Sequence, residues 1–190
     1  MKRKFAIATA LGACLILLGC AAALAFHDRR HADDGLYRQV VNGQGYELDL
    51  VQRSVPIRLT LEPAWMREAK AWGIRLAESQ QTAFILERTA FLNGGMTFTV
   101  SIRPAMDRSA GMFLSNKVFE EGGGYHYYAR APLWQIYDRN GRKLDMDVIA
   151  AGQGDRQFSF TLSKEETEPW YAQGLVVEFD GIVAYAYAKT

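Results

Sequence analysis

Met96-Thr97-Phe98-Thr99-Val100-Ser101-Ile102-Arg103 places an apolar side chain at every second position, with hydroxyls and one cation between. Successive side chains of a strand point to opposite faces, so this stretch reads as a strand with one dry face and one wet face. The same period recurs on both sides of it. Tyr46, Leu48 and Leu50 alternate with Glu47 and Asp49, and Ile57, Leu59 and Leu61 with Arg58 and Thr60. Leu144, Met146 and Val148 stand against Lys143, Asp145 and Asp147, and Phe158, Phe160 and Leu162 repeat the theme. Residues 82–92 read as a strand as well, because Asn93-Gly94-Gly95 suits a hairpin into 96–103. Asn42-Gly43, Asn140-Gly141 and Asp180-Gly181 are further turn signals, since these pairs supply the positive φ angles of tight hairpins. The expectation is a mainly β, antiparallel, β-sandwich-like domain.

One segment competes with that period. From Pro63 to about Gln80, Trp65, Ala69, Trp72 and Leu76 recur at spacings of four, three and four. Such a stripe predicts one amphipathic helix, with Pro63 in its first turn. Gly73 is its weak point, or marks its end after Trp72. Both tryptophans would then face the sheet.

The start of the chain is of another kind. Lys2-Arg3-Lys4 is basic, and Phe5–Phe26 contains no charged residue. This order of basic and apolar regions marks an export signal. Leu17-Leu18-Gly19-Cys20 inside it resembles the lipobox of bacterial lipoprotein precursors. That resemblance covers residues 1–20 and implies cleavage before Cys20, with lipid carried on Cys20. Two alternatives stay open. Ala23-Leu24-Ala25 would allow cleavage before Phe26 and a soluble periplasmic product. Uncut, Phe5–Phe26 at about 1.5 Å per residue reaches about 33 Å, enough to span a bilayer core. Each outcome places the body in the bacterial cell envelope, outside the cytoplasm.

The expected organisation is therefore residues 1–26 as export signal or membrane anchor, 27–35 as a polar tether, and 36–190 as a single β-rich domain. Cys14 and Cys20 are the two cysteines of the chain, so the body has no disulfide and no thiol nucleophile. Without Lys2, Arg3 and Lys4 the 22 basic residues fall to 19 against 21 acidic, close to −2. That argues against nucleic acid as a partner.

Chemical candidates are few. His27 and His31 stand four apart near Asp28, Asp33 and Asp34, a zinc-like spacing, but on a tether that reads as a solvated spacer. His126 is the single histidine of the body and has no assignable partner. Gly122-Gly123-Gly124 precedes a strand rather than a helix, so it reads as a turn and not a phosphate cradle. Neither Gly-x-Ser-x-Gly nor Ser-x-x-Lys occurs in the body. Glu120-Glu121, Asp145/Asp147 and Glu165-Glu166 read as wet strand faces. No catalytic residue, metal or cofactor is expected.

The aromatics offer more. Tyr125, Tyr127, Tyr128, Trp134 and Tyr137 cluster in sequence, and Tyr185 and Tyr187 share one face of the last strand. Such a stripe can bind glycan or an extended peptide, although tyrosine also simply favours strands. The expected function is a membrane-tethered envelope module for binding or assembly, with an envelope protein or glycan as partner. The rivals are an enzyme acting on a cell-wall or glycan substrate, through His126 or a carboxylate, and a soluble periplasmic ligand carrier.

Overall fold

The computed structural model describes residues 34–92, 94–128, 133–154, 156–170 and 172–190, and of 151–153 the backbone alone. The signal segment with Cys20, the His27/His31 pair and most of the tether lie outside the described residues.

The alternating runs become strands that gather into antiparallel sheets. β2 (Ile57–Leu61), β9 (Trp134–Tyr137), β10 (Lys143–Leu144) and β13 (Leu175–Phe179) form one sheet in the order β10-β9-β13-β2. β3 (Lys70–Ser79), β4 (Thr82–Leu92), β5 (Gly95–Pro104), β11 (Val148–Gly154) and β12 (Gln157–Ser163) form a second, in the order β11-β12-β5-β4-β3. Their inner faces close on each other as a sandwich. Phe84, Phe98, Phe158 and Phe160 meet Leu59, Leu61, Val177 and Phe179, all buried. Trp134 bridges the two sheets, stacked on Phe179 at 4.2 Å between centroids and tilted on Phe160 at 4.9 Å. Cores of this kind follow from period two, because every second residue of each strand reaches the same interior.

A third sheet, β1-β14-β6, joins β1 (Tyr46–Gln52), β6 (Ala110–Ser115) and β14 (Val183–Lys189). Residues 34–41 are helical (α1) and contribute Tyr37 and Val40 to a second cluster with Phe113, Tyr185 and Tyr187 of this sheet. Asn42-Gly43 ends α1 instead of turning a hairpin. Gly43 takes φ +65°, its N–H donates to the Val40 carbonyl at 3.1 Å, and Gln44 N–H donates to Gln39 at 2.9 Å. β7 (Lys117–Phe119) and β8 (Tyr125–Tyr127) make a short hairpin beside it. A short α2 (Lys164–Thr167) follows β12, capped by the Ser163 hydroxyl at the Glu166 N–H.

The fold is mainly β, antiparallel and sandwich-like, as the alternation predicts, but the predicted helix over 63–80 does not form. Over 63–80, Pro63–Met66 form one 3-10 turn and Lys70–Ser79 are strand β3. The reason is a second period within the same residues. Trp72, Ile74 and Leu76 are half-buried, while Ala71, Gly73 and Arg75 are exposed, which is period two. Gly73 takes φ +67° where the register with β4 shifts, so it serves a bulge and not a helix cap. Trp65 and Trp72 still meet, with ring centroids 6.1 Å apart, but across a turn and a strand.

Two further expectations change. Leu144, Met146 and Val148 do not share one strand, because β10 and β11 belong to different sheets. Asp180-Gly181 carries the chain from β13 in one sheet to β14 in another. Glycine is required there by close approach, since a Cβ on Gly181 would lie 2.2 Å from the Phe179 ring.

Candidate functional site

Tyr46, Leu48 and Leu50 face the side of the third sheet on which α1 packs, yet each is left half-buried. α1 ends at residue 41, and these three side chains line an opening beside it. The result is a half-open groove of about 620 Å³, within the range of small-ligand and peptide clefts. One wall is the C-terminal end of α1, with Val40, Val41 and Asn42. The opposite wall is Phe119 and the loop Glu120–Gly123, and Tyr185 contributes from β14.

The loop wall is set by its glycines. Gly122 and Gly123 take φ +101° and +96°, and the turn closes through Glu120 N–H to Gly124 O at 2.9 Å. Phe119 N–H donates to the Tyr185 hydroxyl at 2.8 Å, which fixes β7 over β14. Burial pushes the Tyr185 phenol above its usual 10.0, opposed by that Phe119 N–H and by the charge of Arg53. The charged side chains among the lining residues are Asp49, Glu120 and Glu121. The groove thus combines an apolar floor with a negative rim.

The tyrosines and tryptophan singled out from the sequence divide into three groups. Tyr185 and Tyr187 are buried in the second cluster, and Tyr185 also lines the groove. The Tyr187 hydroxyl accepts the Asp107 N–H at 2.7 Å and donates to the Asp107 carbonyl at 2.9 Å, tying down that loop. Trp134 belongs to the sandwich core, and Tyr137 lies on the same sheet with the Arg58 guanidinium 5.0 Å from its ring centre. Tyr125 and Tyr127 lie on β8, and Tyr128 just after it packs against the second cluster. Tyr125 is half exposed, meets Tyr127 edge-on at 5.8 Å, and carries the Lys117 ammonium 3.7 Å from its ring centre. A single aromatic surface therefore does not form, because the chain segments carrying these rings enter different sheets.

His126 has a partner that the sequence did not disclose. Its Nδ1 lies 2.9 Å from Glu120 Oε1 across the β7–β8 hairpin. Both side chains are more than half exposed, so water screens the pair and the arrangement does not make a dry acid–base dyad. Among the described residues, no group of three or more His, Cys, Asp or Glu is gathered for a metal. None of the described helices is long and apolar enough to cross a membrane.

A second recess of about 460 Å³ lies where α1 begins. Its cations already hold carboxylates: Arg156 Nη2 donates to Asp34 at 2.6 Å, Arg103 pairs with Glu87, and Arg75 with Glu78. Arg156 also stacks its guanidinium 4.7 Å from the Tyr37 ring centre. The Arg156 contacts anchor α1, and the three ion pairs leave the recess close to neutral. Sequence reasoning had placed Asp34 and Gly35 in the tether, and the missed signal was Leu36, Tyr37, Val40 and Val41 at helical spacing.

No protein-family model matches the chain, and no curated protein matches it. Among solved structures, it is similar to the thioester domain of the Enterococcus faecium TIE86 protein, at 12% identity and a TM-score of 0.17. The match covers 60% of this chain and 45% of that one, less than half of the neighbour's length. Neither figure supports a statement about fold or function.

Proposed function

We propose that this chain is a tethered, non-enzymatic binding module of a bacterial cell envelope, and that the groove beside α1 is where it holds its partner. The observation that carries the reading is the apolar floor. Val41, Leu48, Leu50 and Phe119 stay half-buried beside a fully packed cluster and line the groove. Leaving apolar area wet forgoes about 25 cal/mol per Å², so a recess of this kind marks a binding site more often than a packing defect. The proposed anchor, through lipid on Cys20 or an uncut N-terminal helix, would join the body through residues 27–33. Eight helical residues at about 1.5 Å each then separate that entry point from the groove by about 12 Å.

The test places a photo-crosslinking residue at Leu48 in intact cells and identifies adducts by mass spectrometry. A defined envelope protein or glycan adduct, absent when the same residue is placed at Arg75, supports the reading. Equal labelling from both positions overturns it. The anchor is tested separately by intact mass of membrane-extracted protein. Loss of residues 1–19 with a lipid adduct that Cys20→Ser abolishes supports lipidation, and an unprocessed mass overturns it.

A further inference from the structure

Strand β1 pairs with β14 on one side and, among the described residues, forms the edge of its sheet on the other. An edge strand presents a row of unpaired backbone donors and acceptors, a template for one more strand. The register with β14 shifts between Leu50 and Gln52, so the regular part of the edge is Tyr46–Leu50. Five residues at about 3.4 Å each offer about 17 Å of edge. Along it, Tyr46, Leu48 and Leu50 look toward the groove, and the exposed Glu47 and Asp49 alternate with them, Asp49 also bordering the groove.

We propose that this edge takes an extended peptide segment as an added strand, and that the segment alternates apolar with basic residues. The inference rests on the groove being the binding site and names the chemistry of its occupant. An added strand continues the pleat, so one set of its side chains would lie over the groove beside Leu48 and Leu50. The other set would lie beside Glu47 and Asp49, while the groove's own rim adds Glu120 and Glu121. A second copy of this chain fits poorly. Pairing β1 with another β1 brings carboxylates face to face, and like charges directly opposite destabilise a ladder. The acidic edge thus excludes self-pairing and selects a basic strand.

The probe is a seven-residue peptide alternating Lys and Leu, its Glu/Leu counterpart, and two versions of the basic peptide N-methylated at one or other set of alternate residues. Binding to the full chain in neutral detergent is read by calorimetry. The basic peptide is expected to bind about tenfold tighter than the acidic one, a difference of about 1.4 kcal/mol. The Glu47→Lys, Asp49→Lys double variant, whose changes are both on exposed positions, should invert that preference. Methylating the amides that face β1 should abolish binding, and methylating the alternate set should leave it within about threefold, because strand addition uses every second N–H. Equal binding of both peptides, or equal effects of both methylation patterns, overturns strand addition. If a specific Leu48 adduct persists in cells while these peptides fail, the groove remains the binding site and its occupant is not an added basic strand.

Discussion

The Tyr185 hydroxyl accepts the Phe119 N–H from within the second cluster, and burial raises its pKa above 10.0. Replacing it with Phe leaves that N–H without its acceptor, so Tyr185→Phe is expected to cost about 1–3 kcal/mol in urea unfolding at pH 8. The sign with pH follows from proton counts. Above about pH 10 the unfolded chain releases the phenol proton while the folded one keeps it, so folding stability falls as pH rises. The Tyr185 contribution is whole below pH 10 and fades as pH climbs through the raised folded value. The gap between the parent protein and Tyr185→Phe should therefore shrink between pH 9 and 11, and a constant gap would refute it. Trp72 makes the matching case in the sandwich. Its Nε1–H donates to Thr89 Oγ1 at 2.8 Å and its ring packs on Trp65. Being half-buried, it should lose less than a fully buried aromatic on truncation, about 2–3 kcal/mol for Trp72→Ala by denaturant midpoint. At this scale the sequence allowed a list of aromatics but not their sorting. Tyr125 and Tyr185 look alike in the chain, and what separates them is which sheet each strand joins.

The β3–β4 hairpin turns on Gln80-Gln81, both with positive φ, at 44° and 59°. Two residues in that region between Ser79 and Thr82, which pair across the ladder, make a type I′ turn. Glutamine is a poor choice for it, since a Cβ in the left-handed region costs about 1–2 kcal/mol. Gln81→Gly is therefore expected to stabilise the fold by about 0.5–1 kcal/mol, raising the thermal midpoint by about 1–4 °C. No change by calorimetry would mean that the turn carries no strain. No Asn-Gly or Asp-Gly signal stands here, so the sequence does not reveal the hairpin and the 3.6-residue stripe over 63–80 predicts a helix instead. β5 is legible because strict alternation follows Asn93-Gly94-Gly95, and β4 through that turn alone, where Gly94 takes φ +76°. In β3 a 3.6-residue stripe and a two-residue period were both present. Pairing with β4 along the ladder decided between them, and pairing is a long-range fact that one segment does not contain. The same holds for α1, whose apolar stripe was masked by the polar run leading into it.

The two apolar clusters are joined through two neighbouring strands, β14 and β6. β14 sends Ala184 into the sandwich core and Val183, Tyr185 and Tyr187 into the cluster under α1, while β6 does the same with Leu114 and Phe113. Ile182, just before β14, is buried in the sandwich, and its carbonyl accepts the Val55 N–H at 2.9 Å. Pulling the third sheet away would therefore strip side chains from both cores at once, which argues for a single cooperative unit despite three sheets. The distribution of aromatics makes this measurable. All four tryptophans of the chain, Trp65, Trp72, Trp134 and Trp170, pack on the sandwich cluster, so their fluorescence follows that core. The cluster under α1 has Tyr37, Tyr185 and Tyr187 in its interior, and the amides of 37–41 and 183–187 report on it by hydrogen exchange. The expectation is that tryptophan fluorescence and exchange at 183–187 give the same unfolding free energy across a denaturant series. The amides of 37–41 should open earlier, because α1 is held by the Asp34–Arg156 pair, the Arg156–Tyr37 stack and two buried side chains, and borders the half-open groove. If residues 183–187 instead exchange through an opening well below the tryptophan transition, β14 does not couple the clusters. The third sheet with its groove would then be a separately unfolding layer on a stable sandwich.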